Sequence, residues 1–462
     1  MNNNSEEIKL KKYDLCCYGI LALPLAFAGI PLYINAPDFY VTSYGVTLSS
    51  LSFILLFLRF IDAVQDPIIG IVSDRYAYYR KYIIIISAIC FVISFGLLFY
   101  PLTDSYILWF TIFVFLASTA FSIITVNFYS LGGIWRQDKH QKTIIISYRE
   151  AFGLLGLLIA VTLPAILQNN FEKITAFLIV SIFLAVIFSI ILLIFCKWLN
   201  RHNYLNLYHR NLQNVNSQNG DLSNENLLAD KQTGSELSVS VVKSAFNMAI
   251  ESFRSINKHT KKFLFIYFIS MLASSIPAVL VIFFIRDLLN LESFTGLFLL
   301  SYFVAAALGL PIWRYISGKY GKYNCWMVSM ALAIFSFVWA YFLNEGDFLE
   351  YLIICILSGI AFGAELVIPS SILADHISDD KNEQYASTNF GVLALLSKLA
   401  LAFATLTAFQ YLEYNNFAAN AENSTEALAS LSIAYALIPC VIKLFALYLV
   451  YIYNKFTVLE SK

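Results

Sequence analysis

Twelve predominantly apolar runs, each about 19 residues or longer, occupy this chain from residue 13 almost to its end. A run of that length is what an α-helix needs to cross the ~30 Å hydrocarbon core of a bilayer at about 1.5 Å per residue. The runs lie near 13–36, 44–73, 82–100, 106–134, 143–168, 174–198, 263–285, 294–316, 324–344, 351–374, 388–412 and 428–454. They set the composition: 59% of residues are hydrophobic and 13% charged, where soluble domains carry about 25% charged residues. The mean hydropathy is +0.70. The chain is therefore expected to be an all-α membrane protein with twelve transmembrane helices.

A polar stretch at 199–262 splits the spans six and six. The expected organisation is a tail at 1–12, a six-helix bundle at 13–198, the central loop at 199–262, a second bundle at 263–454 and a tail at 455–462. Asn211 to Ser235 is rich in Asn, Gln, Ser and Asp without periodicity, whereas Val241 to Phe263 recovers helical spacing. That last segment reads either as an amphipathic helix on the membrane surface or as a solvated linker helix. Lys9, Lys11, Lys12, Arg75, Arg80, Lys81, Arg136, Lys139, Lys142, Lys319 and Lys322 fall on the side of the tails, and only Lys173 and Arg286 fall opposite. The asymmetry places both termini and the central loop in the cytoplasm, and the inner (plasma) membrane of a bacterium is the expected location. The first span, interrupted by Pro24 and Pro31 and lacking a small-residue cleavage site, reads as a permanent helix.

Several function classes are disfavoured. The seven cysteines show no metal or redox spacing, and all five histidines lie in or beside cytoplasmic segments. No phosphate-binding Gly-x-x-x-x-Gly-Lys-Ser/Thr loop, no Ser-His couple within the spans and no basic patch with interleaved aromatics is present. An enzyme, a nucleic-acid partner and an organic cofactor are not expected. A monomer in the lipid bilayer with a small-molecule substrate is.

What remains is charge inside the spans. Arg59, Asp62 and Asp66 are spaced three, four and seven apart, which puts them on one face of the second helix. A carboxylate at mid-membrane costs roughly 3 kcal/mol on insertion scales, so two of them one turn apart call for a purpose. One reading is a salt-bridged cluster holding helices together; the other is a coupling-ion site. Gln65 on an adjoining face supplies a neutral oxygen, and Pro67 leaves the Ala63 carbonyl without its usual amide partner. Such a stripe suits Na⁺, which wants several oxygens, or H⁺, which needs one carboxylate. Lys398 in span eleven either seeks the acidic pair or snorkels to the interface. Glu365 in span ten pairs with Lys398 or lines a cavity, while Asp375 near the end of that span reads as a gate or a solvated residue. Arg149, followed by Glu150, opens span five and reads either as a bidentate receptor for a substrate carboxylate or phosphate or as a gate residue.

The loop Gly70-Ile71-Val72-Ser73-Asp74-Arg75 resembles the Gly-x-x-x-Asp-Arg signature of the major facilitator superfamily, with a weaker copy at Arg314 to Lys322. In such a loop Asp74 and Arg75 act as a latch that bridges two helix bundles in one conformation and releases in the other. Arg59 and Asp375 are grouped with them as gating candidates.

Arg-x-x-Asp-Ala-x-x-Asp-Pro-x-x-Gly, from Arg59 to Gly70, resembles the second-span signature of the glycoside-pentoside-hexuronide cation symporters. Thr125 to Leu131 with Ser147 to Gly153, and Ala374-Asp375 with Phe390-Gly391 and Lys398-Leu399, are similar to two further blocks of that family. The resemblance implies two six-helix bundles working by alternating access, with H⁺ or Na⁺ held by Asp62 and Asp66 and supported by Gln65 and Ser122. It implies a substrate group containing Asn127, Tyr129, Arg149, Glu365 and Lys398, with Lys398 linking substrate and cation. Family members that carry galactosides have carboxylates on spans one and four; Ala26 and Thr125 stand at those positions here. Gln384-Tyr385-Ala386-Ser387 also replaces the family's charged run before span eleven. The expected function is secondary active, cation-coupled symport of a small solute other than a galactoside. The alternatives are an amphiphile or lysolipid transporter of the same fold and a non-transporting nutrient sensor.

Overall fold

The computed structural model describes residues 11–46, 48–136, 138–168, 170–201, 256–380, 383–417 and 423–460. Every regular element among them is helical. Twelve long helices follow in order: α1 (Lys12–Tyr33), α2 (Leu48–Arg75), α3 (Ala77–Leu98), α4 (Tyr106–Ile134), α5 (Lys139–Gln168) and α6 (Lys173–Arg201). Then come α7 (Lys258–Leu288), α8 (Thr295–Tyr320), α9 (Lys322–Ala340), α10 (Phe348–Asp379), α11 (Ala386–Tyr414) and α12 (Thr425–Lys455). Eleven of them are long and apolar enough to cross a membrane. The twelfth, α2, includes side chains outside the described residues; its 28 residues extend about 42 Å at 1.5 Å each. Most of the polar central stretch, and of the helix expected at 241–263, lies outside the described residues; α7 begins at Lys258.

α1 runs on beyond its expected end. Pro31 cannot donate a backbone hydrogen bond, and the ladder loosens there into a π turn, Pro31–Asn35, in which Ala36 N–H reaches back five residues to the Pro31 carbonyl. The chain then continues as the helix Ala36–Tyr44. α7 ends in an equivalent π turn, Phe284–Leu288.

The chain forms two compact units, Met1–Leu58 with Tyr76–Thr233 and Arg59–Arg75 with Gly234–Lys462. The division does not fall between helices six and seven alone. It also cuts α2, whose charged second half belongs to the second unit. In the first unit α1 packs on α5, and α3 packs on α4 and α6. In the second, α7 packs on α11, and α9 packs on α10 and α12, so the same pairing order is used twice. The first core is strongly aromatic, with Phe99 stacked on Phe177 at 4.9 Å. The second is built around Phe284, Tyr351 and Tyr435, with Phe284 and Tyr435 stacked at 4.0 Å.

Many helices are apolar outside as well as inside. Ile86, Ile89 and Ile93 on α3, Ile182, Val186 and Ile190 on α6, and Val441, Leu444, Phe445 and Tyr448 on α12 are exposed at helical spacing. A helix apolar all round suits lipid, because water would penalise the outer stripe. Lipid, however, supplies no hydrophobic drive between helices, so their association depends on close packing and polar contacts.

Gly156 shows the packing term. A Cβ at this position of α5 would collide with the Leu23 carbonyl of α1, whereas one at Gly96 of α3 would meet nothing within 4 Å. Alanine at 156 must push two backbones apart, at a cost of ~1–3 kcal/mol, while alanine at 96 gains up to about 1 kcal/mol of helix propensity. Gly156→Ala is therefore expected to lower the melting temperature in detergent and Gly96→Ala to leave it unchanged or raise it. Equal effects of the two substitutions would contradict the packing of α1 on α5.

Candidate cation and substrate site

The second half of α2 lies against α11 with almost no side chain between them. A Cβ on Gly70 would come within 2.6 Å of the Ser387 carbonyl oxygen and 2.7 Å of Thr388 Cα, and one on Gly391 within 2.6 Å of the Asp66 carbonyl oxygen. Only glycine permits so close an approach. The contact fixes an antiparallel register in which Asp74 reaches the first turn of α11. There one carboxylate oxygen of Asp74 accepts from Ser387 N–H at 2.9 Å, and the other accepts from Thr388 N–H and Thr388 Oγ1, both at 2.7 Å. A carboxylate on free amides at a helix N-terminus is favoured both by hydrogen bonding and by the helix dipole.

Lys398 lies two turns beyond Gly391 on the same face of α11, and helical side chains lean toward their own N-terminus. Its ammonium meets Asp62 Oδ2 at 2.8 Å, Asp66 Oδ2 at 2.7 Å and the Asp62 carbonyl oxygen at 3.2 Å. Asp66 is 1% exposed, Asp62 9% and Lys398 29%. Gln65 Nε2 donates to Asp62 Oδ1 at 2.9 Å, so the amide steadies a carboxylate at this stripe. One ammonium is thus shared by two carboxylates inside an apolar segment. The side chain of Arg59 lies outside the described residues, and Arg75 is exposed at the end of α2.

A second polar group lies in the first unit. Ser122, Thr125 and Tyr129 follow one another at spacings of three and four, so they share a stripe of α4. The Arg149 guanidinium stacks on the Tyr129 ring at 3.6 Å, with Nε donating to Glu150 Oε1 at 2.8 Å and Nη2 within 2.5 Å of the same oxygen. Arg149 is 1% exposed, and its Nη1, like Thr125 Oγ1, is buried without a hydrogen-bond partner among the described residues. Asn127, fully buried, donates to the Ile123 carbonyl of its own helix at 2.8 Å.

This geometry coincides with a family match over almost the entire sequence: residues 16–223 and 243–454 fit the family described as MFS/sugar transport protein. The chain belongs to that family. It is a major facilitator transporter and not an enzyme. The fold is shared with the human organic anion transporter MFSD10, at 14% identity and a TM-score of 0.61, covering 95% of this chain and 97% of that one. It is shared with the fucose:proton symporter of E. coli, at 12% identity and a TM-score of 0.60, covering 94% and 98%. A bacterial homologue of the iron transporter ferroportin, in an outward-facing state, gives 12% identity and a TM-score of 0.61, covering 95% and 99%. No curated protein matches the sequence significantly.

Two of the expected acids of this transporter have partners that their sequence reading did not name. Glu365 does not pair with Lys398; its partner is Lys443 of α12, at 2.8 Å. Pairing across helices is invisible to periodicity, but a lone lysine in the apolar run of span twelve was the available signal, since opposite charges in one membrane domain seek each other. Asp375 is not solvated: it is 7% exposed and paired at 2.6 Å with Lys322, the first residue of α9.

The shared ammonium makes the three residues a coupled unit. Removing Lys398 takes away the ammonium that two adjacent carboxylates share, at a cost of about 1–3 kcal/mol, below the ~3–5 for a fully buried pair because Lys398 is 29% exposed. Lys398→Ala is expected to lower detergent thermal stability more than Asp62→Asn does, and the double substitution less than the sum of the two. Strictly additive melting shifts would separate Lys398 from the acidic stripe.

Proposed function

We propose that this transporter is a symporter that couples entry of a small polar solute to H⁺ or Na⁺ at Asp62 and Asp66. The observation that carries the reading is the Lys398 ammonium lying 2.7–2.8 Å from both carboxylates. Lys398 is a resident cation that an incoming ion has to displace or share with. Na⁺ can draw on the two carboxylates and the Asp62 carbonyl, with Gln65 as a further oxygen donor, whereas H⁺ needs one carboxylate alone.

The cycle follows from linkage. Ion binding neutralises the stripe, frees the Lys398 ammonium for a substrate oxygen and so raises substrate affinity; by the same free energy, bound substrate raises ion affinity. Asp74 on the N-terminus of α11 acts as the latch on the cytoplasmic side, released when α2 parts from α11. Arg149 receives the substrate's acidic or hydroxyl group through the buried Nη1 of a guanidinium already flattened on Tyr129, with Asn127 and Thr125 nearby in sequence on α4. Ala26 and Thr125 offer no carboxylate to sugar hydroxyls, which argues against galactosides. An amphiphile substrate is the second reading, favoured by the apolar stretch Leu21 to Ala28 of α1.

Two measurements test this. Purified protein is expected to melt higher in Na⁺ or Li⁺ than in choline, or higher at lower pH, with the increment lost in Asp62→Asn and in Asp66→Asn. Retention of the full increment by both variants would remove the ion from this stripe. In cells lacking their own carriers, melibiose and lactose are not expected to accumulate, while a thermal-shift screen against sugars, organic anions and lysolipids identifies the ligand whose gradient-driven uptake both variants abolish. Robust galactoside accumulation would overturn the substrate reading.

A further inference from the structure

Lys443 lies in the middle of α12 and is 4% exposed. Its ammonium is enclosed by oxygens from two other helices: Glu365 Oε1 at 2.8 Å on α10, and Ser274 Oγ at 2.8 Å, Ser270 Oγ at 2.9 Å and the Ser270 carbonyl at 3.3 Å on α7. Glu365 is held in turn by Trp326 Nε1 of α9 at 3.1 Å and by Ser270 Oγ at 3.3 Å. Ser270 and Ser274 are one turn apart, so both hydroxyls face the same point. A carboxylate, two hydroxyls and a backbone carbonyl form an all-oxygen donor set of the kind hard cations take. Beside it lies a cavity of about 30 Å³ bordered by Ser274, Pro277, Cys440 and Lys443, enough for a water-sized occupant.

We propose that this is a monovalent-cation site whose occupant is tethered: the Lys443 ammonium fills it permanently, and the cage accepts a free small cation, best an alkylammonium, once the lysine is shortened. It differs from the α2–α11 site in two respects. The Lys398 side chain is 29% exposed and shared by two carboxylates, whereas the side chains of Lys443 and Glu365 are both only 6% exposed and matched one to one. An occupant that is itself a side chain of α12 cannot leave the cage as a free ion can. The filled cage therefore joins α7, α9, α10 and α12 into one block and confines the cation response of the second unit to α2 and α11.

Chemical rescue tests the assignment. Lys443→Ala removes the equivalent of n-propylammonium, and is expected to lower the detergent melting temperature by roughly 5 °C or more. Added n-propylammonium should restore at least half of that loss with a saturable dependence, while bulkier tetramethylammonium should not. Wild type and Lys443→Ala/Glu365→Gln should show no such response. Na⁺ is assayed in an Asp62→Asn background, so that ions at the other stripe do not contribute. If Lys443→Ala cannot be isolated, n-propylammonium throughout expression and purification should recover folded protein, and Lys443→Met/Glu365→Gln, which removes both charges, should fold unaided. Wild-type melting of Lys443→Ala, or a loss that n-propylammonium does not reverse beyond tetramethylammonium, would overturn the proposal, as would failure of both recovery routes.

Discussion

Charge taken out of water into an apolar helix assembly costs several kcal/mol unless it meets an opposite charge or a set of hydrogen bonds, and this penalty organises the second unit. Its acids are matched across helices: Asp62 and Asp66 of α2 by Lys398 of α11, Glu365 of α10 by Lys443 of α12, and Asp375 of α10 by Lys322 of α9. Asp74 of α2 is matched by the first amides of α11. Because lipid gives helices no hydrophobic reason to choose one neighbour over another, these matches supply specificity that a water-soluble core would draw from burial. The first unit relies more on aromatic packing, and its best-described buried ion pair, Arg149 with Glu150, lies within a single helix.

Glycine determines whether the polar matches can form at all. Asp74 reaches Ser387 and Thr388 because Gly70 lets the α11 backbone come to van der Waals distance. Gly391, on the facing helix, does the same beside Asp66. Two turns further along α11 stands Lys398, and one turn back along α2 from Asp66 stands Asp62. A side chain at either glycine would lift the helices apart, lengthening ion pairs that now measure 2.7 and 2.8 Å. Since Coulomb energy in a low-dielectric setting falls steeply with small separations, the backbone contact and the ionic contact stand or fall together.

Much of this was legible in the sequence, because helix period and membrane thickness are one-dimensional quantities. Span positions follow from run length, and the Asp62–Asp66 stripe follows from spacing. The approach of Lys398 follows from the cost of an unpaired intramembrane cation. Other features needed three dimensions. Glu365 had two possible lysine partners, and only the packing of α10 against α7 and α9 and of α12 on both selects Lys443. Asp375 sits near a helix end, where sequence suggests water, yet the start of α9 covers it. The division of α2 at Leu58 is equally silent, since no composition break marks it. Pro31 did advertise an irregularity, but the ladder absorbed it as a π turn and the helix went on.

The division of α2 gives the acidic stripe its leverage. Asp62 lies four residues past Leu58, about one turn, so the carboxylates begin where α2 changes allegiance from the first unit to the second. Among the described residues, their attachment to α11 includes one shared ammonium, one pair of glycine contacts and one capped helix end. In the proposed cycle an ion arriving at Asp62 and Asp66 competes with the first of these directly. It need not strain the protein to act, because neutralising the carboxylates by another cation weakens their hold on Lys398 by the amount of the ion pair itself. The glycine contacts and the Asp74 cap, neither of which involves the ion, stay in place at the α2–α11 junction. A junction with both ion-sensitive and ion-insensitive attachments can be loosened without being abolished, which is the property a reversible coupling step requires.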